Sequence, residues 1–270
     1  KDNGLALVTD DSEYSELILS DVKTEKKYFV GRTALADIKI SNESNSILSS
    51  NFSLDFIGKI PKANRGSIEF QTSLLGNFNI DNCAFAAGTA YLMGIDKNAI
   101  QTGLQKTHVA PGRMQKILLK NGAIGIVDYA HSPDSLEKAL QTCKEFITSS
   151  KIENSKLICV FGCGGDRDKS KRPIMGKIAS SIADLIIITD DNPRTEKSMD
   201  IINEIFEGII TEDKERVVAI PDRHEAIKYA VNSSKENDII LVAGKGHETY
   251  QVIGTEKFHF DDVEELEKYA

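Results

Sequence analysis

An α/β fold with a mostly parallel sheet is predicted for the larger, second part of this chain. Three features predict it: short continuous apolar runs of strand length, aliphatic stripes at helical spacing that alternate with them, and a chemically unusual loop after each run. The first part reads differently. Lys27–Val30, Asp37–Ile40, Asn51–Phe56 and Ser67–Gln71 mix β-branched or aromatic residues with polar ones, the alternation of half-exposed strands. Asn/Ser-rich Ser41–Ser46 and the Pro61–Gly66 connection read as turns, so a small sheet with hairpin-like links is expected. From Asn79 the pattern turns helical. Ala84, Ala86, Ala87 and Ala90 allow close packing, while Gly94 followed by Asp96 reads as a stop and a new N-cap, giving two helices up to about His108. Pro111-Gly112 breaks the pattern, and the domain boundary is placed there, between residues 1–110 and 111–270.

The second part repeats strand and helix. Gly125–Tyr129 is a buried-type strand. Ser132-Pro133 supplies an N-cap with proline at the first helical position, and Leu136, Leu140, Cys143 and Ile147 follow on one face. Lys156–Phe161 is the next strand, and Ile174, Ile178 and Ile182 mark the face of the next helix. Leu185–Thr189 is a strand, Ile201, Ile205 and Ile209 a helix stripe, and Asp238–Ala243 a last apolar strand. In such sheets ligands bind beyond the carboxyl ends of the strands, which directs attention to the loops after Val127, Phe161, Ile188 and Val242.

Composition narrows the function classes. The 270 residues suffice for one large or two ordinary domains, and 40% hydrophobic with 27% charged residues is a globular balance. With 33 basic against 41 acidic residues the net charge is -8, a poor match to an extended nucleic-acid backbone. The longest aliphatic runs, such as Leu185–Ile188, fall far short of the roughly 20 residues of a bilayer span. The four cysteines (Cys83, Cys143, Cys159, Cys163) lack zinc spacing and are expected as small core residues in a reducing cytoplasm. A chain that begins with Lys1 is expected to be part of a longer one, and nothing in the sequence sets an oligomeric state.

Each of the four loops allows a functional and a purely structural reading. In Asp128-Tyr129-Ala130-His131-Ser132-Pro133-Asp134, two carboxylates and an imidazole could orient a nucleotide or its metal; alternatively Ser132 and Asp134 cap the helix and Asp128 closes a turn. In Gly162-Cys163-Gly164-Gly165-Asp166-Arg167-Asp168, glycines admit a ligand to the backbone and Arg167 offers a planar fork for a carboxylate or phosphate. The Lys169, Lys171, Arg172 run that follows could equally be a solvated helix entrance. In Thr189-Asp190-Asp191-Asn192-Pro193-Arg194, Pro193 holds Asn192 extended, so that an amide and a guanidinium can face one pocket; the alternative is a plain turn. In Ala243-Gly244-Lys245-Gly246-His247-Glu248, Glu248 could pair with a substrate ammonium, or Lys245 and Glu248 are surface charges. No G-x-x-x-x-G-K-[ST] phosphate loop occurs, and Arg167 stands where a dinucleotide fingerprint has its third glycine. Four such loops at the carboxyl ends of one sheet point to a binding site.

In order along the chain, Gly76-x-Phe78-Asn79-x-x-Asn82, Pro111-Gly112-Arg113-Met114, the Asp128–Asp134 loop, the Gly162–Asp168 loop, Asp191-Asn192-Pro193-Arg194 and Gly244-Lys245-Gly246-His247-Glu248 resemble the Mur ligases. Within that family they resemble the MurE type, which adds meso-2,6-diaminopimelate to UDP-N-acetylmuramoyl-L-alanyl-D-glutamate. The likeness is dense from about Gly76 to Asp262; before Gly76 it is limited to a Thr9-Asp10-Asp11 turn and a strand-rich stretch. It implies a Rossmann-like, doubly wound C-terminal sheet in an amino-acid-binding domain over residues 111–270. Residues 1–110 would be the strand- and helix-containing tail of the family's central ATPase domain.

The resemblance further implies that Asn79 and Asn82 lie near ATP, that Arg113 meets its phosphates, and that Asp128 and His131 approach it from the mobile domain. It assigns diaminopimelate to Arg167, Asp191, Asn192, Pro193, Arg194, Gly244 and Glu248. Similar enzymes that add lysine lack the arginine of this turn, which makes Asp191–Arg194 the expected specificity element. The implied reaction is ATP- and Mg²⁺-dependent amide formation in peptidoglycan precursor synthesis, through an acyl phosphate of the D-glutamyl carboxylate. Arg113 would stabilise charge on the transferring phosphoryl group, and domain closure would bring the reactants together. Absent from the sequence are the phosphate loop, the family's Mg²⁺-binding residues with its carbamylated lysine, and the uridine-diphosphate-binding domain. The expectation is therefore a fragment with little or no ligation activity of its own. Alternatives are a lysine-adding Mur ligase, a folylpolyglutamate synthetase-like ligase, or a stand-alone amino-acid-binding module without turnover.

Overall fold

The computed structural model describes residues 4–47, 49–150 and 154–270, which form two compact units meeting in sequence between His108 and Val109.

In the first unit, β1 (Ala6–Thr9), α1 (Ser15–Asp21), β2 (Lys27–Gly31), β3 (Ile38–Asn45), β4 (Ser50–Phe56) and β5 (Gly66–Thr72) precede α2 (Asn77–Leu92) and α3 (Lys97–Lys106). The strands form one sheet in chain order, β1 to β3 parallel and β3 to β5 an antiparallel meander. The meander matches the hairpin-like links expected; β2 and β3 were also read as strands, but their pairing with each other and with β1 is parallel, and β1 and α1 were not read from the sequence. Ser41–Ser46 is not a free turn. Most of it continues β3, whose pairing with β4 shifts register between Ser41 and Ser44 around Asn42 at φ 50°, so ladder pairing overrides the local turn preference of Ser and Asn. The core joins Ile38, Phe52, Leu54, Phe56 and Phe70 to Ile80, Ala84 and Ala87 of α2 and Ile100 and Leu104 of α3. Ala86 faces solvent instead. Gly94 ends the first helix at φ 89°, and the Asp96 carboxylate caps the second by accepting from the Asn98 and Ala99 amides, as read from the sequence.

The second unit runs β6 (Gln115–Leu118), β7 (Ile124–Asp128), α4 (Pro133–Ser150), β8 (Leu157–Phe161), α5 (Lys171–Ile182), β9 (Leu185–Ile188), α6 (Ser198–Phe206), β10 (Val217–Ala219), α7 (Arg223–Ser233), β11 (Ile239–Ala243), β12 (Tyr250–Ile253), β13 (Glu256–His259) and α8 (Asp262–Glu267). Its six-stranded sheet has the order β10-β9-β8-β11-β7-β6, parallel throughout except for β6 at the edge. Successive residues of a strand point to opposite faces. On one face Ile158, Val160, Ile187, Ile240 and Val242 pack with Ala226, Ile227 and Ala230 of α7 and Leu266 of α8; on the other lie α4, α5 and α6, packed side by side. This is the doubly wound α/β class expected. The chain steps outward from β8 to β10 and returns through β11 on the other side of β8, so the winding reverses between β8 and β11, where a crevice opens at the carboxyl ends.

One helix face differs from expectation. Ile174 is 49% exposed, and α5 instead buries Arg172, Met175, Gly176 and Ala179. The small face wins because α6 comes close: a Cβ on Gly176 would stand 2.2 Å from the Ile205 carbonyl oxygen. The four cysteines are buried and free, and no described helix is long and apolar enough to cross a membrane.

Candidate functional site

The loops after β7, β8, β9 and β11 meet in one open pocket of about 450 Å³. Tyr129 and His131 come from the first, Gly164, Arg167 and Asp168 from the second, Asp191, Asn192 and Arg194 from the third, and Gly244 and Glu248 from the last, with Lys171 at the start of α5 and Tyr250 at the start of β12. Of the residues singled out in the second unit, His131, Arg167, Asp191, Asn192, Arg194, Gly244 and Glu248 are thus brought together. Arg113, Asp128 and Pro193 are not among the lining.

The pocket holds both signs of charge, Arg167, Lys171 and Arg194 with Asp168, Asp191 and Glu248. The Arg167 guanidinium is exposed and has no ion pair or hydrogen bond among the described residues. Arg194 donates through Nη1 to the Gly165 carbonyl at 2.7 Å, which leaves Nε and Nη2 open. Its backbone, at φ 51°, is pinned to the β12–β13 hairpin by Arg194 N to Val252 O at 3.0 Å and Gly254 N to Arg194 O at 2.7 Å. Against these cations stand the carboxylates of Asp191 and Glu248. Asn192 ties the Glu248 carboxylate to the wall behind it: its Nδ2 donates to Glu248 Oε2 at 3.0 Å, while its Oδ1 accepts from Val252 N at 2.9 Å and Lys245 Nζ at 3.1 Å. Pro193 serves as backbone. It is buried, and its carbonyl lies against the glycine loop, where a Cβ on Gly165 would come within 1.9 Å of it. Gly165→Ala is therefore expected to overpack this contact and cost about 1–3 kcal/mol, read as a lower denaturation midpoint; unchanged stability would show that the loop can yield there.

Beside the pocket, the loop after β7 carries a cluster of rings. Tyr129 lies 4.7 Å from His131 and 5.1 Å from His247 between ring centroids, and the exposed Arg113 guanidinium sits 4.9 Å from the Tyr129 centroid. His131 turns Nδ1 to the Tyr129 carbonyl at 2.9 Å, leaving Nε2 outward. Asp128 takes the turn-closing role: it is 8% exposed and accepts from Met114 N at 2.9 Å. Burial raises its pKa, against the pull of the Met114 and Ala130 amides and of Arg113. Ser132 accepts from Ser135 N at 3.4 Å as a cap, whereas Asp134 pairs with Lys138 at 3.0 Å. In the first unit Asn79 donates to the Leu75 carbonyl at 2.8 Å and accepts from the exposed Asn82 at 3.4 Å.

The model of the family "Mur ligase, glutamate ligase domain" matches residues 112–246. The chain belongs to the Mur ligase family. It is 39% identical over 262 residues to UDP-N-acetylmuramoyl-L-alanyl-D-glutamate--2,6-diaminopimelate ligase of Rickettsia bellii, an alignment covering 97% of this chain and 52% of that one. The ligase of the same name from Trichormus variabilis is 37% identical over 265 residues, 97% of this chain and 50% of that one. A solved structure of such a ligase superposes with a TM-score of 0.68 at 34% identity, over 98% of this chain and 53% of the other. The folylpolyglutamate synthase of Thermotoga maritima shares the fold, with a TM-score of 0.67 at 20% identity over 90% of this chain and 52% of that one. The chain spans about half the length of the relatives it matches. The Mur ligase resemblance read from six motifs is borne out.

Two buried cations of this Mur ligase chain were read too lightly from sequence. Arg172, offered as part of a solvated helix entrance, is fully buried: it bonds Glu196 at 2.9 and 3.0 Å, Glu204 at 2.7 Å and the Gly164 carbonyl at 3.2 Å. Bonds from Arg172 and then Lys169 hold the Glu196 carboxyl well below the usual carboxylate range, and the same carboxylate accepts from Asp166 N at 2.6 Å. This clamp ties the glycine loop to the turn that carries Arg194. Lys245, offered as a surface charge, is wholly buried behind the pocket wall, and desolvation lowers its pKa. The available signal was position: Lys245 follows the apolar run of β11 after a single glycine.

Proposed function

We propose that this chain is the amino-acid-adding part of an ATP-dependent ligase that joins meso-2,6-diaminopimelate to UDP-N-acetylmuramoyl-L-alanyl-D-glutamate in peptidoglycan precursor synthesis. One observation carries the reading: a single pocket brings the guanidinium groups of Arg167 and Arg194 together with the carboxylates of Asp191 and Glu248, with Lys171 and Asp168 also in its lining. A ligand with an acid and an ammonium group at each end is the complement of that pattern, and relatives at about 40% identity bear the corresponding name. Lysine has no distal carboxylate and would leave one guanidinium face unpaired. Four buried free thiols agree with a cytoplasmic setting.

The donor set fits part of an ATP site. Arg113 and the outward Nε2 of His131 are the groups of this unit suited to phosphate or ribose oxygens, while Asp128 serves by fixing the Met114 amide and hence the Arg113 turn. In the first unit, taken by itself, the Asn79 and Asn82 amides are of the kind that meets a nucleotide. ATP, when bound, supplies the phosphoryl group that makes the glutamyl carboxylate reactive. Mg²⁺, when present, would accompany the phosphates of the nucleotide.

Calorimetry on the 270-residue chain tests the substrate assignment. Diaminopimelate is expected to bind, and lysine to bind at least about 10-fold more weakly, the equivalent of one charge-assisted contact. Equal affinities, or no binding of diaminopimelate, would overturn it.

A further inference from the structure

Lys245 lies between two glycines at a strand end, yet none of its surface is exposed. Removing an ammonium from water is costly unless acceptors enclose it. Here Nζ donates to the Tyr250 carbonyl at 2.7 Å and to Asn192 Oδ1 at 3.1 Å, with Asp191 Oδ1 and Glu248 Oε2 at 3.5 and 3.7 Å. Asp191, Asn192, Glu248 and Tyr250 all line the pocket, whereas Lys245 stands behind them.

The placement settles how the Asn192 amide faces. Its Oδ1 meets two donors, Lys245 Nζ and Val252 N, so Nδ2 must turn the other way, where it donates to Glu248 Oε2. Glu248 Oε1 keeps no partner among the described residues. An apolar side chain at 245 would leave the amide held by Val252 N alone and would leave two neighbouring carboxylates without the cation that offsets them. We infer that Lys245 is a positioning residue for the acceptor amino acid: through the Asn192 amide it aims the Glu248 carboxylate at an ammonium group of the ligand. Resting on the diamino-diacid reading of the pocket, this role predicts coupling between Lys245 and Glu248.

A double-mutant cycle on the 270-residue chain, read by calorimetry with meso-2,6-diaminopimelate, tests it. Glu248→Gln is expected to weaken binding about 10-fold or more, Lys245→Met by no more than Glu248→Gln, and the double variant by the same factor as Glu248→Gln within about twofold. A residue that only supports the fold would add its loss to that of Glu248→Gln. If circular dichroism shows Lys245→Met unfolded, Asn192→Asp takes its place in the cycle; it keeps the acceptor for Lys245 and replaces the donor to Glu248 by an oxygen. Multiplying losses, a larger loss from Lys245→Met than from Glu248→Gln, or unchanged affinity in the single variant at 245 or 192 overturns the role. A wild-type chain that binds no diaminopimelate overturns the pocket reading as well, which separates the two failures.

Discussion

Arg194→Ala is expected to weaken diaminopimelate binding about 30-fold and to leave lysine binding within about twofold. Truncating one partner of a desolvated charge pair costs about 2–5 kcal/mol, and about 1.4 kcal/mol corresponds to a factor of ten. Arg194 is half-buried in an open pocket, which places it at the low end of that range. The expectation depends on the side chain being presented rather than spent. Nη1 is engaged by Gly165 O, and the backbone is fixed to the β12–β13 hairpin, so the remaining edge of the guanidinium is held toward the pocket with little entropy left to lose. Arg194→Lys is not expected to restore affinity, because an ammonium is a point donor without the second planar N–H edge that grips a carboxylate while Gly165 O is held. Calorimetry with both ligands checks this; undiminished affinity for diaminopimelate in the alanine variant would remove Arg194 from the site.

The largest effect on stability is expected at a buried pair beneath the pocket. Arg223 and Asp262 are both fully buried, with Nε to Oδ1 and Nη2 to Oδ2 each at 2.7 Å. Arg223 also donates to the Asp190 carbonyl at 3.2 Å and the Ala243 carbonyl at 3.1 Å, joining the ends of β9 and β11 beneath the pocket. Arg223→Met leaves the Asp262 carboxylate buried without its cation, a change that costs about 3–5 kcal/mol. For a unit of this size that lowers the melting midpoint by about 6–20 °C. Adding Asp262→Leu should recover part of the loss by removing the stranded charge, but not all of it, since the two carbonyls remain without their donor. Differential scanning calorimetry of the two variants provides the check: an Arg223→Met midpoint within about 2 °C of wild type, well short of that drop, would mean that water reaches Asp262.

The candidate site was legible wherever a residue's chemistry and its place at a strand end coincided. Arg194, Asn192 and Glu248 stand in loops that follow continuous apolar runs, and parallel strands must bring such loops to one edge. One helix face was read less well. The isoleucines of α5 have the right spacing, but the packed face is the one on which Gly176 admits the α6 backbone. Close approach between two helices depends on both partners, and the spacing on one of them does not report it.

The alternation of β7, α4, β8, α5, β9, α6 and β11, the parallel character of their sheet and the gathering of four loops at its carboxyl edge were determined by the sequence alone, because hydrophobic period and turn chemistry are local properties; β1, α1, β6, β10, α7, β12, β13 and α8 were not read there. Which charges go inside was decided only by the tertiary structure. Arg172 meets Glu196 across 24 residues, Arg223 meets Asp262 across 39, and Lys245 meets Asn192 across 53. An ionised side chain can leave water only where acceptors from other segments converge on it.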